Sequence, residues 1–314
     1  VLPRAAGPVA HRLFRDLPEL LRAGDLLVVN RSRVRPARLL GTRAGGGAAE
    51  VLLVRPLGDE AWEALVRPGR RLRPGDVVDV GPGLRVAIET GPVGREGRRR
   101  VRLLAEGPPD RAVERLGHVP LPPYIRRPDR AEDRARYQTV YAREEGSVAA
   151  PTAGLHFTND LLLRLEARGI DRAELVLHVG PGTFRPVRVD DVRDHRLEAE
   201  PFVVSADTAA AVARARARGG RVVAVGTTAV RALETAATEE GTVRAGAGET
   251  GLVIVPGFRF RVVDALITNF HLPRSSLLLL VAAFGGRDRV LGAYAEAVRE
   301  GYRFYSYGDA MLVA

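Results

Sequence analysis

Residues 221–234 read RVVAVGTTAVRALE, and the change of rhythm within this stretch decides the fold. RVVAV is a short apolar run with no polar face, the pattern of a strand covered on both sides. Gly226 breaks the run, and Thr227-Thr228 open a helix. A buried strand that passes directly into a helix is the repeating unit of an α/β domain.

The same alternation extends outward in both directions. Helices are predicted at 206–218, just upstream, and at 288–300 downstream, with strands at 252–255, 261–263 and 266–268. The apolar run 277–284 has the length of a core strand or a buried helix. Upstream, Thr158 and Asp160 open a helix at 158–168, and 174–179 reads as a strand. Near the start, 17–21 reads as a short helix and 110–116 as another. A buried strand at 26–29 delivers Asn30 at its end, and 35–40 reads as a second strand.

From about 50 to 106 the character changes. Short β-type runs alternate with the breakers Pro68-Gly69, Pro74-Gly75-Asp76 and Pro82-Gly83. Regular short strands with such turns predict a small antiparallel barrel or sandwich. The expected fold class is therefore α/β: a mixed-sheet α/β domain over 1–50 and 137–314, with a small antiparallel β-barrel inserted at 51–136. The Gly-rich stretch 41–50 reads as the loop joining the two. The charge run RRPDRAEDRAR (126–136) reads as a solvated connection.

Composition narrows the function. The chain has 314 residues and a net charge of +10, with 48 basic residues, all of them Arg. That surplus points to an anionic partner, nucleic acid first. There is no Cys, which excludes disulfides, thiolate metal sites and a Cys nucleophile. No apolar run reaches the roughly 20 residues needed to span a bilayer. The opening VLPRAAGPVAHR lacks the apolar block of a signal peptide, so a cytoplasmic location is expected.

Polar chemistry is concentrated in a few segments. YQTVYAREEGSVAAPTAGLHF (137–157) holds Gln138, the one Gln of the chain, and only three Asn occur, at 30, 159 and 269. Four of the six His lie at or beyond position 156: His156, His178, His195 and His271. Imidazole is the natural general acid or base near neutral pH. No HExxH or similar spacing supports a His-based metal site, so no metal is expected. The N-terminus at Gly226–Thr228 offers N–H groups to an anion or carboxylate, although a plain Thr-capped helix fits it equally. LHVGPGTFRPV (177–187) ends a strand in a Gly-rich turn, where Phe184 and Arg185 have the chemistry to stack on a base. TNFHLPRSS (268–276) places Asn269, Phe270 and His271 in a loop after a strand, with Arg274 suited to a phosphate or carboxylate. No GxGxxG or GxxxxGK[ST] motif precedes a helix.

These segments, taken with GDLLVVNRSRVRPARLLG, PLPPYI, VVDALITNFHLPRSSLLLLVAAFGG and YRFYSYGDAML, resemble the S-adenosylmethionine:tRNA ribosyltransferase-isomerase family of queuosine biosynthesis. The resemblance covers nearly the whole chain, in family order. It implies transfer and isomerisation of the ribosyl moiety of S-adenosylmethionine onto 7-aminomethyl-7-deazaguanine in tRNA. The product is epoxyqueuosine-tRNA, with release of adenine and methionine. It implies S-adenosylmethionine as co-substrate and no other cofactor. The chain departs from the family at Arg31, where Asp is usual, and at Glu198, where a second His is common.

Such a reaction needs a base for the carbon beside the sulfonium, an acid for adenine, a base for the amine and a dry pocket. His156 and His271 are the leading acid/base candidates and His178 the third. Substrate-binding candidates are Tyr137, Gln138, Thr139, Ser147, Thr152, Gly154, Gly180, Gly182, Thr183, Phe184, Gly226, Thr227, Thr228, Asn269, Phe270 and Arg274, with Asn30 at its strand end. Arg231 and Glu234, spaced i,i+3, are expected to pair with each other or meet ligand. Arg33 and Arg38 are candidates for tRNA phosphates. The competing expectations are a basic RNA-binding module without catalysis, and a generic methyltransferase that would yield S-adenosylhomocysteine.

Overall fold

The computed structural model describes residues 1–314 apart from 6, 94–96, 123 and 185, and the backbone alone at 184. The chain begins with α1 (Leu17–Leu20), β1 (Leu26–Asn30) and β2 (Ser32–Val34). Six strands follow: β3 (Arg38–Arg43), β4 (Ala48–Gly58), β5 (Ala61–Arg67), β6 (Val77–Gly81), β7 (Leu84–Ile88) and β8 (Arg99–Ala105). They close into an antiparallel barrel in the order β3-β4-β5-β8-β7-β6. Period-two alternation points Val51, Leu53, Val86, Ile88, Val101 and Leu103 into its core. Helix α2 (Pro109–Leu116) adds Ala112 and Val113 to the same cluster.

After α3 (Asp133–Arg136) and β9 (Glu144–Ser147) the chain continues through α4 (Asn159–Ala167), β10 (Asp171–Leu177), β11 (Glu200–Val204) and α5 (Ala206–Ala217). It then forms β12 (Val222–Val225), α6 (Thr227–Ala236), β13 (Gly246–Thr250), β14 (Ala265–Asn269), α7 (Ser276–Gly285), α8 (Arg287–Arg299) and β15 (Ala310–Val313). Seven of these strands form one mixed sheet in the order β13-β11-β10-β1-β12-β14-β15. Strands β10, β1, β12 and β14 are mutually parallel, and the outer pairings are antiparallel. The parallel strands β1, β12 and β14 are buried along their whole length, which explains their unbroken apolar runs. On one face Leu27, Val29, Val223, Val225 and Ile267 pack with Phe157 and with Leu161 and Leu165 of α4. The i,i+4 spacing puts those two leucines on one helix side, and burying each contributes about 1.5–3 kcal/mol. Thr158 caps α4, its hydroxyl accepting from Leu161 N–H at 3.2 Å.

The chain divides into two compact units, one of 1–33, 138–144 and 150–314, the other of 34–137 and 145–149. Several details differ from the sequence expectation. The barrel takes in β3, which pairs with both β4 and β6, so the barrel unit begins at Val34 and not at 51. The Gly-rich stretch after Arg43 is the tip of the β3–β4 hairpin, not a joint between domains; Arg43 N–H bonds Gly47 O across it. Residues 252–255 and 261–263 are not strands, and the strand in that region is β13. Within the charge run, Asp133 is buried, takes Arg127 bidentately at 2.6 and 2.9 Å, and opens α3, so part of the run is ordered structure.

Candidate active site at the carboxyl edge of the sheet

From β1 the chain goes to β10 on one side, then returns to β12 on the other. The carboxyl ends of these parallel strands flank a topological switch point, where open α/β sheets form their ligand crevices. Asn30, Val179, Gly226 and Asn269 all sit at or just beyond those ends. A small cavity here is lined by Thr152, Thr183, Gly226, Thr227, Thr228, Thr268, Asn269 and His271, with apolar walls from Ala153, Val179 and Leu277.

A hydrogen-bond chain crosses this edge. Thr152 Oγ1 donates to Asn269 Oδ1 at 3.0 Å, and Asn269 Nδ2 donates to His156 Nε2 at 3.1 Å. An amide NH₂ is only a donor, so His156 Nε2 accepts and its proton lies on Nδ1. The His156 ring stacks on Phe14 at 5.0 Å. Burial lowers its pKa below the ordinary value; nearby Asp309 opposes that shift and Arg303 adds to it. His156 is therefore a neutral imidazole in a fixed tautomer at neutral pH, with a hydrogen-bond donor at Nδ1.

His271 is almost wholly buried, and its Nε2 lies 2.8 Å from Thr268 Oγ1. Its backbone N–H donates to Tyr294 Oη at 2.9 Å. Burial alone pushes its pKa down to about 4. The sign for stability follows from that depression. Between about pH 6.5 and pH 4 the unfolded chain takes up a proton at this position and the native chain does not, so stability falls as pH falls. At ~1.4 kcal/mol per pKa unit, the loss across that window is roughly 3 kcal/mol. His271→Gln is expected to flatten the acid limb of the stability curve, read by denaturant unfolding at pH 4.5 and 7. An unchanged slope in the variant would remove His271 as its source.

The turn after β10 is held from beneath. Glu200 Oε1 accepts from Gly180 N–H and from Thr183 Oγ1–H, both at 2.7 Å, and Glu200 Oε2 is ion-paired with Arg231. Arg231 also donates to Leu252 O and Thr250 O, each at 3.0 Å. Glu234 accepts three backbone N–H groups, from Arg261 at 2.8 Å, Val262 at 3.0 Å and Val263 at 2.9 Å. Arg231 and Glu234 thus do not pair with each other; both are committed to backbone and to Glu200, and they shape the segments that lead into the site. Asn30 is committed in the same way, bridging Leu177 N–H at 3.0 Å and Leu177 O at 2.9 Å and accepting from Ser32 N–H.

The other expected site residues fall in several places. Gly154 is needed for packing, because a Cβ there would collide with the Tyr141 hydroxyl and the Thr139 methyl. Thr139 is buried, and Gln138 is half-buried in the α/β unit. Tyr137, Ser147 and Arg38 belong to the barrel unit, where Arg38 pairs with Glu50 at 2.9 Å. Arg33 is exposed on β2. His178, half-buried beyond β10, is not among the residues lining the cavity. Gly182 is buried in the turn, and the Phe184 side chain and Arg185 lie outside the described residues. Phe270 packs in a cluster with Tyr294, Tyr302 and Phe304, and Arg274 is exposed at φ 58°. Sequence reasoning missed Thr268 and Glu200. Thr268 sits inside a buried strand, and only its i,i+3 spacing to His271 marks it. Glu200 reaches the site from a strand far away in sequence.

A larger cavity of about 160 Å³ shares His156 and Phe270 with these residues but is walled mainly by apolar groups of the first 20 residues, α8 and β15. Among the described residues no group of three or more His, Asp or Glu is arranged to hold a metal ion.

Fold and site together define an α/β protein with a six-stranded barrel inserted after the first sheet strand and a polar, histidine-bearing cavity at the carboxyl edge of its parallel strands. The family model described as "Queuosine biosynthesis protein" matches residues 1–313, and the chain belongs to that family. It is 55% identical over 314 residues to the S-adenosylmethionine:tRNA ribosyltransferase-isomerase of Symbiobacterium thermophilum, covering 100% of this chain and 91% of that protein. Against the enzyme of the same name from Anaeromyxobacter dehalogenans the identity is 56% over 317 residues, with the same coverage. The crystal structure of S-adenosylmethionine tRNA ribosyltransferase from Thermotoga maritima is similar, with a TM-score of 0.54 and 38% identity over 100% of this chain and 90% of that one.

Proposed function

We propose that this chain is an S-adenosylmethionine:tRNA ribosyltransferase-isomerase acting in queuosine biosynthesis. Full-length similarity above half identity to relatives of that name carries the reading. The substrates are S-adenosylmethionine and tRNA. The acceptor is the aminomethyl group of 7-aminomethyl-7-deazaguanine, and the products are epoxyqueuosine-tRNA, adenine and methionine. No redox cofactor or metal enters the scheme. A tRNA substrate assigns the protein to the cytoplasm; among the described residues no helix is long and apolar enough to cross a membrane.

The site residues take roles that match their geometry. His156 carries its proton on Nδ1, because Asn269 occupies Nε2, and donates a hydrogen bond from that N–H to the departing adenine. With Thr268 Oγ1 accepting the Nε2 proton of His271, Nδ1 of that neutral ring bears the lone pair that removes the acidic proton beside the sulfonium. His178 lies away from the cavity and is reserved for the amine. A non-catalytic RNA-binding module is not favoured, since the relatives are named as enzymes.

Mass analysis of a reaction with S-adenosylmethionine and tRNA bearing the aminomethyl base tests the reading. Adenine and methionine are expected in step with the gain in tRNA mass, whereas S-adenosylhomocysteine would make the protein a methyltransferase. Binding of tRNA by an Arg-rich surface is further expected to weaken at least about tenfold between 50 and 200 mM salt, through counterion release. A flat salt response in a filter-binding titration would count against phosphate contacts by residues such as Arg33 and Arg38.

A further inference from the structure

Helix α6 starts without a cap. Its N-cap residue is Gly226, at φ 87°, which has no side chain to offer. The first N–H groups of the helix, at Thr227, Thr228 and Ala229, therefore have no partner inside the helix and none from a capping side chain. Beside them lies a second, independent vacancy in the hydrogen bonding. Thr228 is 6% exposed, its Oγ1 is fully shielded, and that hydroxyl has no partner among the described residues. Buried polar groups in folded proteins are almost always satisfied, so an orphan hydroxyl on a cavity wall marks a place for a bound group.

The cavity onto which Thr228 opens is suited to an anion. None of its described lining residues is acidic. The Glu200 carboxylate, which reaches its wall through Thr183, has its charge met by Arg231. The open N-terminus of a ten-residue helix adds partial positive charge and aligned donors. The cavity volume is about 30 Å³, enough for a small polar terminus and far too little for a nucleoside.

We propose that this is the subsite for the α-carboxylate of the methionine half of S-adenosylmethionine, held by the N–H groups at the start of α6 and by Thr228 Oγ1. The proposal rests on the S-adenosylmethionine reading above and specifies how the substrate is oriented. With the carboxylate seated at α6, the sulfonium and the carbon to be deprotonated follow a few bonds away, beside His271 and Asn269 on the same wall. A tRNA phosphate shares the anionic chemistry, but the space is small and the described lining residues include no Arg, which favours the carboxylate.

Calorimetric titration of the full chain with S-adenosylmethionine and with its decarboxylated analogue tests this without any substitution. The carboxylate is expected to tighten binding at least about tenfold. Thr228→Val is then expected to weaken S-adenosylmethionine about five- to twentyfold while leaving the decarboxylated analogue within about twofold, and Thr228→Ser is expected to retain the discrimination. Equal binding of the two ligands by the unsubstituted protein would overturn the subsite and leave the substrate reading intact. No binding of either ligand would overturn both. Weakened tRNA affinity in Thr228→Val, with the ligand discrimination unchanged, would make this a phosphate site and overturn the carboxylate assignment.

Discussion

Arg231→Met is expected to destabilise the α/β unit by roughly 3–5 kcal/mol, the cost of leaving a buried carboxylate without its counter-charge. Arg231 and Glu200 are both nearly inaccessible to solvent, at 3% and 6% side-chain exposure, so water cannot compensate for the loss. The substitution also strands the carbonyls of Thr250 and Leu252, which Arg231 now satisfies. Denaturant unfolding followed by far-ultraviolet circular dichroism reads the effect. The double variant Arg231→Met, Glu200→Leu is expected to recover part of the stability, because it removes the orphan charge. It is not expected to recover turnover, because Gly180 N–H and Thr183 Oγ1 then lose the acceptor that shapes the turn. If Arg231→Met unfolds within about 1 kcal/mol of the unsubstituted protein, the pair is not the tie described here.

Asn269→Leu is expected to lower kcat about a hundredfold with little change in KM for S-adenosylmethionine, within the range attributed to general acid–base groups. Leucine conserves bulk but removes the donor that holds His156 Nε2 and the acceptor for Thr152. His156 then loses its fixed tautomer, and the proton on Nδ1 is no longer assured. Asn269→Asp separates positioning from mere packing. A carboxylate beside Nε2 favours the charged imidazolium and raises the pKa of His156, so the limb of the pH–rate profile that reports His156 should move to higher pH. An Asn269→Asp variant with the native pH profile would show that the amide does not govern this histidine.

Much of this arrangement was legible in the residues, for identifiable reasons. Strands β1 and β12 are continuous apolar runs ended by Asn30 and Gly226, and parallel strands covered on both faces leave that signature. The barrel announced itself through its Pro-Gly breakers and alternating strands. What stayed hidden depends on partners distant in sequence. Strand β13, GAGET, has no apolar alternation and exists because β11 offers it an edge. Residues 252–255 and 261–263 are apolar enough to read as strands, yet Arg231 holds the carbonyl of Leu252 and Glu234 holds the N–H groups of 261–263, so those groups are unavailable to a ladder. Helix α7, SLLLLVAAFG, lacks a polar face, and periodicity is silent on it. In the site, His156, Asn269, His271 and the start of α6 were visible as polar groups in Gly- or Asn-rich segments. The dependence of the 180–184 turn on Glu200 and Arg231 was not, because no local spacing encodes a pair 31 residues apart.

The central claim is that His156, fixed by Asn269 at the carboxyl edge of the sheet, donates the Nδ1–H hydrogen bond that stabilises adenine as it leaves. Single-turnover release of adenine from saturating S-adenosylmethionine and tRNA, compared between the unsubstituted protein and His156→Gln, tests it most directly. The expected result is a fall of about 10²- to 10⁴-fold in rate, with S-adenosylmethionine affinity within a few-fold of the original. Adenine release by His156→Gln at close to the unsubstituted rate would contradict the assignment.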